Sequence, residues 1–283
     1  MTVYLRPLSE VDFGEFTEAF NAAYSDYFVP IRMTRPAFRA LFERDDIASD
    51  ASVVAIEDGK IVGTGLLGVR DRAAWIGGMG VIPGRRRNGT GRLMMEHLIA
   101  RARARNLEAI DLEVIEENRP AWQLYRSLGF QQRRHLLMLD RQPEPVSDIL
   151  PNCPLRELDA FDIVAQYDDY HPVPNCWQRG KRSLEGMATS LLGWSLDDHD
   201  NERAQAYALG YADEAAIRLI DLCATPSADA LRATACLLAA LHRAYPDAPA
   251  NAFNIADNDP VLPAFEALGY TVSLRQIEMQ LRL

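Results

Sequence analysis

From Val11 to Tyr27 the aromatic residues Phe13, Phe16, Phe20, Tyr24 and Tyr27 recur every three or four positions, which puts them on one face of a helix. Pro30 ends that helix. A shorter helix follows over Arg35 to Glu43, with Phe38, Leu41 and Phe42 directed inward. The period then changes from helical to extended. Ser52 to Ile56 is a β-rich run, Asp58-Gly59 supplies the positive φ of a tight hairpin, and Ile61 to Val69 returns as its partner. Trp75 to Val81 reads as a third strand, interrupted by Gly77, Gly78 and Gly80; glycines inside a strand mark a bulge or a close approach of ligand to backbone. A helix over Gly91 to Arg105 directs Leu93, Met94, Leu98, Ile99 and Ala102 inward, and Ala109 to Ile115 alternates as a strand. The helix Pro120 to Leu128 stops at Gly129, a good residue for the position after a helix, and Gln131 to Leu139 is the last strand of this half.

The stretch Arg141 to Pro151 holds three prolines among polar residues and reads as a linker. Beyond it the chain repeats itself. Leu5-Arg6-Pro7-Leu8 resembles Leu155-Arg156-Glu157-Leu158, and the segment Asn118 to Phe130 aligns without gaps with Asn258 to Tyr270. Asn, Pro, Leu and Gly are shared at equivalent places, aromatic residues match twice, and an apolar strand follows in both. The organisation expected is a domain over 1–140, a linker over 141–152 and a second domain of the same fold over 153–283.

Composition narrows the chemistry. With 283 residues, 48% hydrophobic and 25% charged, the chain suits a globular protein of two cores. No apolar run approaches the ~20 residues that span a bilayer, and the N-terminus lacks a basic region followed by an apolar one. A cytoplasmic location without membrane contact is the expectation. The net charge of −10 argues against nucleic acid as a partner. The four cysteines, all in the second half, and the five scattered histidines show no metal-ligand spacing, so no metal is expected.

The stretch Arg86-Arg87-Asn88-Gly89-Thr90-Gly91 lies between a strand and a helix. Its two glycines let a ligand approach the backbone, and the first N–H groups of the helix are unpaired and sit at the positive end of the helix dipole. With Arg85, Arg86, Arg87 and Arg92 beside them, they form an anion site suited to a pyrophosphate. Taken alone, the loop is equally an ordinary basic helix start. It is neither a P-loop nor a dinucleotide fingerprint.

Two motifs together resemble one family. Val81 to Met94 is similar to the acetyl-CoA motif of the GCN5-related N-acetyltransferases, [Q/R]-x-x-G-x-[G/A], through Arg86, Gly89 and Gly91. Downstream, Asn118, Ala121, Leu124-Tyr125 and Gly129-Phe130 resemble the family's closing motif, N-x-x-A-x-x-L-Y-x-x-x-G-F. The resemblance covers roughly residues 3–140. It implies an α/β (α+β) acyl-CoA N-acyltransferase fold: a mixed central sheet with splayed strands flanked by helices, here duplicated. It implies acetyl-CoA as co-substrate and transfer of the acetyl group to a primary amine by direct attack in a ternary complex. The backbone of Met79, Gly80 and Val81 would hold the pantetheine arm. Arg86, Arg87, Asn88, Gly89, Thr90, Gly91 and Arg92 would hold the pyrophosphate, and Asn118 and Ala121 would line the cofactor groove. Tyr125 would protonate the leaving thiolate. Glu113 and Glu116 are candidates for the base, and Asp26 and Tyr27 for the acceptor side.

The second half departs from the pattern. Ala224 to Ala230, where the anion loop should lie, has no Arg-x-x-Gly-x-Gly, and Phe265 stands where Tyr125 does. The expected second domain is a degenerate copy that completes the acceptor groove, recognises substrate or pairs subunits, with His171, Trp177, Trp194, Asp197, Asp198 and His199 as candidates to face the acceptor. Three alternatives stand beside acetylation of a small amine: a longer acyl-CoA, a peptide or protein amine, and a non-catalytic acyl-CoA sensor. The chain is expected to be a monomer or a homodimer.

Overall fold

Asp58 and Gly59 both take positive φ, 50° and 74°, which is what a two-residue hairpin demands of them. The hairpin joins two strands of a sheet in the computed structural model, which describes residues 2–147, 153–171, 174–197, 204–227 and 229–283. The chain divides into two compact units, one formed by Met1–Arg133 with Ile277–Leu283 and the other by Arg134–Gln276.

The first unit runs β1 (Tyr4–Pro7), α1 (Phe13–Ala23), α2 (Arg35–Arg44), β2 (Val53–Glu57), β3 (Lys60–Arg70), β4 (Ala73–Val81), α3 (Thr90–Ala104), β5 (Ala109–Ile115) and α4 (Arg119–Ser127). Strands β1 to β4 are antiparallel neighbours and β5 lies parallel to β4. Asp12 caps α1 by accepting from Gly14 N and Glu15 N, and Thr34 caps α2 through Ala37 N. One face of the sheet packs Phe16, Phe20, Phe38 and Leu66 under α1 and α2. The other packs Met94, Leu98, Ile110, Leu112 and Tyr125 under α3 and α4. α1 is shorter than its aromatic spacing suggests. It ends at Ala23, so Tyr24 and Tyr27 lie beyond its last turn.

The glycines of β4 produce the bulge expected of them. Thr64 pairs with Gly80 and Leu66 with Gly77, so three steps on β4 oppose two on β3. Gly78 takes φ +59°, and a Cβ there would sit 3.0 Å from both Leu66 and Phe20. Strands β4 and β5 stay in register only from Ala73↔Ala109 to Trp75↔Asp111, and past that point the pairing ends.

In sequence order the remaining elements are β6 (Gln131–Arg141), β7 (Arg156–Leu158), α5 (Ala160–Ala165), α6 (Tyr167–Tyr170), α7 (Lys181–Met187), β8 (Leu192–Asp197), β9 (Ala204–Ala212), β10 (Ile217–Ala224), α8 (Ala230–Ala244), β11 (Ala250–Ala256), α9 (Leu262–Ala267) and β12 (Thr271–Arg282). The second unit repeats the plan of the first. Strands β7 to β10 are antiparallel neighbours, β11 lies parallel to β10, and α8 fills the place of α3. Each sheet is completed by a strand from the other half of the sequence. In the second unit β11 pairs with β6, from Ala250↔Arg141 to Ala256↔Leu136. In the first, β5 is flanked by the end of β12, where Leu283 N donates to Glu108 O at 2.9 Å. The first unit thus takes in the last stretch of the chain, Ile277–Leu283. Of the linker expected over 141–152, residues 148–152 lie outside the described residues.

Candidate active site

Past Trp75↔Asp111 the parting of β4 from β5 exposes backbone on both strands. A cavity of about 610 Å³ lies in the first unit. Met79, Gly80 and Val81 line it from β4, and Arg86, Arg87, Gly89, Gly91 and Arg92 from the loop and the start of α3. Asn118, Ala121, Leu124 and Tyr125 come from α4 and its cap, and Tyr24, Asp26, Tyr27 and Phe28 from the segment after α1. Of the site residues expected in the first half of the sequence, Arg85, Asn88, Thr90, Glu113 and Glu116 do not line the cavity.

The loop is shaped for an anion. Arg87 and Gly89 take φ +67° and +89°. This places left-handed residues just before a helix, the arrangement that turns successive N–H groups toward one point. Asn88 and Thr90 have a structural part here: Asn88 Oδ1 accepts from Thr90 N at 3.2 Å and Thr90 Oγ1 at 2.7 Å. Gly89, as the cap of α3, offers no side chain, so the first-turn N–H groups of Gly91 and Arg92, two residues that line the cavity, have no side-chain cap. A Cβ on Gly89 would meet no atom within 4 Å, so its surroundings are open space.

Arg86 does not extend into that space. Its Nε donates to Val81 O at 2.8 Å, and its terminal nitrogens donate to Ala23 O at 3.0 Å and to the Asp26 carboxylate at 2.7 and 2.9 Å. Asp26 is held ionised below the usual carboxylate range, mainly by that bond to Arg86. Each Asp26 oxygen bonds Arg86, and the residue lines the cavity. The hold on Ala23 O satisfies a terminal carbonyl of α1. Arg92 likewise turns aside, to Ser127 Oγ at 2.6 Å.

Tyr125 is 7% exposed, and no described residue hydrogen-bonds its hydroxyl. Burial, with Tyr27 nearby, pushes its pKa above the ordinary tyrosine value, so it is a protonated donor at any working pH. Tyr27 is raised by burial too, offset in part by a hydrogen bond with the Asn118 side chain. Asn118 also caps α4 through Ala121 N at 3.3 Å. Tyr24 and Phe28 line the cavity as well, although the sequence marked Tyr24 only as part of a buried helix face. The Tyr24 hydroxyl donates to Met79 O at 3.3 Å.

Glu113 is elsewhere. The alternating residues Ile110, Leu112 and Val114 share the core that holds Tyr125, so Glu113 faces the opposite side of the sheet. Its Oε2 accepts from Trp75 Nε1 at 2.8 Å, its Oε1 is buried without a partner, and burial raises its pKa to about 8.

In the second unit the equivalent opening is filled. Strands β10 and β11 part after Leu219↔Ala252. There the fully buried Arg179 donates from Nε to Ile220 O at 2.9 Å and from Nη1 to Asn254 O at 3.0 Å, joining the two diverging strands. Its Nη2 pairs with Asp221 at 2.6 Å. Burial would raise the Asp221 pKa, but His171 and Arg179 beside it hold it far below the carboxylate range. His171 bonds Asp221 at 3.0 Å and Tyr207 at 2.8 Å, and Trp194 is core, so neither is free for an acceptor. Phe265 is buried against Tyr270. Asp198, His199 and the side chain of Asp197 lie outside the described residues, as does Ala228 in the loop before α8. Replacing Arg179 by methionine is expected to leave Asp221 buried and short of a partner, a loss of about 3 kcal/mol readable by denaturant unfolding.

Residues 15–130 match the model of the acetyltransferase (GNAT) family. No curated protein sequence matches the chain. Among solved structures, a tandem GNAT protein from the clavulanic acid biosynthesis pathway is similar over 99% of this chain and 98% of its own, with 15% identity and a TM-score of 0.73. A putative acetyltransferase from Pyrococcus horikoshii is similar over 99% and 89%, with 17% identity and a TM-score of 0.66. A GCN5-related N-acetyltransferase from Sphaerobacter thermophilus is similar over 99% and 95%, with 12% identity and a TM-score of 0.68. At these identities the likeness is one of fold, and it extends over both copies.

Proposed function

We propose, because residues 15–130 match the acetyltransferase (GNAT) family model and the fold is present twice, that the first unit transfers an acetyl group from acetyl-CoA to a primary amine. The observation that carries the reading is the convergence on one cavity of the anion loop, the bulged end of β4 and an unbonded tyrosine hydroxyl. The pyrophosphate of CoA fits the N–H groups at the start of α3, and the pantetheine arm fits the unpaired end of β4. The amine attacks the thioester carbonyl. An N–H near Met79–Val81 stabilises the oxyanion, an effect of a few kcal/mol in comparable sites. The tetrahedral intermediate then collapses, the C–S bond breaks, and Tyr125 gives its proton to the sulfur. The Tyr125 pKa is raised by burial. Since desolvation disfavours the charged form of either acid, a thiolate leaving into the same surroundings becomes more basic too, and the two remain matched.

The attacking nitrogen must lose a proton; Glu113, which lies outside the cavity on the face of the sheet opposite Tyr125, is proposed to receive it through intervening water. A carboxyl with a pKa of about 8 holds a proton far better than an ordinary glutamate. The same residue gives a stability test of opposite sign. Its folded-state pKa lies above the unfolded value, so between pH 4.5 and about 8 the folded state keeps a proton that the unfolded state has lost. Stability therefore falls with rising pH across that window. Glu113→Gln is expected to remove this slope and add roughly 2 kcal/mol at pH 8, while lowering kcat and abolishing its rise toward pH 8. Thermal unfolding and rate profiles over pH 5–9 read both; a variant with an unaltered rate profile removes Glu113 from the reaction.

The second unit is proposed to bind no acyl-CoA, because Arg179 and Asp221 occupy the gap that would receive the pantetheine. Calorimetric titration is expected to give one acetyl-CoA per chain.

A further inference from the structure

We propose that Arg86 and Asp26 form a clasp which holds the end of α1 against the anion loop, so that Asp26 is a positioning residue for acyl-CoA and not a ligand of the acceptor. The clasp has four bonds from one guanidinium. It reaches the last carbonyl of α1 at Ala23, the last carbonyl of β4 at Val81, and both oxygens of Asp26. Only the planar fork of arginine can serve all of these together. Tyr24, the next residue after Ala23, adds a second tie through Met79 O. The segment 23–26 is thus fastened to the segment 79–86 within the β4 bulge and just beyond it.

Two physical arguments favour position over charge. The ion pair is 40% and 50% exposed, and an exposed pair by itself contributes little. What distinguishes this one is the pair of terminal carbonyls that it also satisfies. Second, Arg86 leads directly into Arg87 and Gly89, whose left-handed backbone aims the N–H groups of the loop. The anchor just before them fixes where that turn begins. The Arg86 charge is meanwhile offset by Asp26, so the pair presents little net charge to a pyrophosphate.

The two views of Asp26 predict opposite signs. Removing a negative charge from the mouth of an anion site, and releasing an arginine beside it, should tighten acetyl-CoA binding if charge governs. If the clasp positions the loop, Asp26→Asn weakens it, by about tenfold given how steeply binding and rate depend on sub-ångström placement. The proposal rests on the acyl-CoA reading of the cavity. Wild-type protein that fails to bind acetyl-CoA in a calorimetric titration removes that reading, whereas wild-type binding with Asp26→Asn unchanged or tighter removes the clasp alone. Arg86→Lys, which keeps the charge but loses the fork, is expected to weaken binding to a similar degree. The double variant should be no weaker than the weaker single, because one interaction is lost only once. In turnover assays, KM for acetyl-CoA should rise about tenfold with a smaller change in kcat, in line with lost uniform binding. A rise confined to the KM of the amine would show Asp26 acting on the acceptor and overturn the proposal. Melting temperatures of the free variants, taken alongside, identify a loss due to misfolding, and Asp26→Glu, which restores the carboxylate, should recover part of the affinity.

Discussion

Glutamate at position 89 is expected to abolish the rise in melting temperature that acetyl-CoA gives the wild-type protein. Ligand at a hundred times its Kd stabilises the folded state by ~2.7 kcal/mol, and the whole of that increment should vanish. Gly89 caps α3 in the left-handed region at φ +89°, where any side chain is strained by about 1–2 kcal/mol. The space around its Cβ is open, so a glutamate would fold without collision and place its carboxylate at the positive end of α3, where the pyrophosphate is expected. That placement favours the carboxylate in the free protein and opposes the ligand. The variant should therefore unfold near the wild-type temperature without ligand and show no shift with it. A retained shift would mean that the N–H groups of Gly91 and Arg92 do not bind the cofactor.

Phenylalanine at position 125 is expected to lower kcat about a thousandfold while leaving the acetyl-CoA shift in place, within the range typical of a positioned acid. The substitution keeps the ring against Phe130 and the buried surface, and removes one hydroxyl that no described residue bonds. Because no protein partner is left unsatisfied, folding stability should scarcely change. A variant with wild-type turnover would take the tyrosine out of the mechanism. The equivalent Phe265 of the second unit already lacks the hydroxyl and is fully buried.

Much of this was legible in the sequence wherever a local rule governs the outcome. Asp58-Gly59 could only be a turn, the aromatic spacing of 13–20 only a helix face, and the glycines of β4 a bulge. The loop was marked by its glycines and arginines between a strand and a helix, and Tyr125 by the family motif that it resembles; both line one cavity. What was not legible depends on partners far along the chain. The last carbonyl of α1, at Ala23, is taken by Arg86, 63 positions later. The same contact commits Asp26, which by sequence alone looks like a free carboxylate beside a cationic substrate. Arg179 is buried between two strand carbonyls that nothing near it in sequence announces. Strands β6 and β12 each look like the end of their own half. Alternating apolar residues say that a strand forms, not which sheet receives it.

The central claim is that the first unit moves an acyl group from CoA to nitrogen. Its most direct test is release of free CoA from acetyl-CoA across a panel of amines and peptides, with the acceptor weighed before and after. The account predicts thiol release that depends on the acceptor, with one acetyl group gained per CoA released, and loss of both in Tyr125→Phe. Acetyl-CoA binding without thiol release on any acceptor of a broad panel would contradict it and favour a protein that senses acyl-CoA without consuming it.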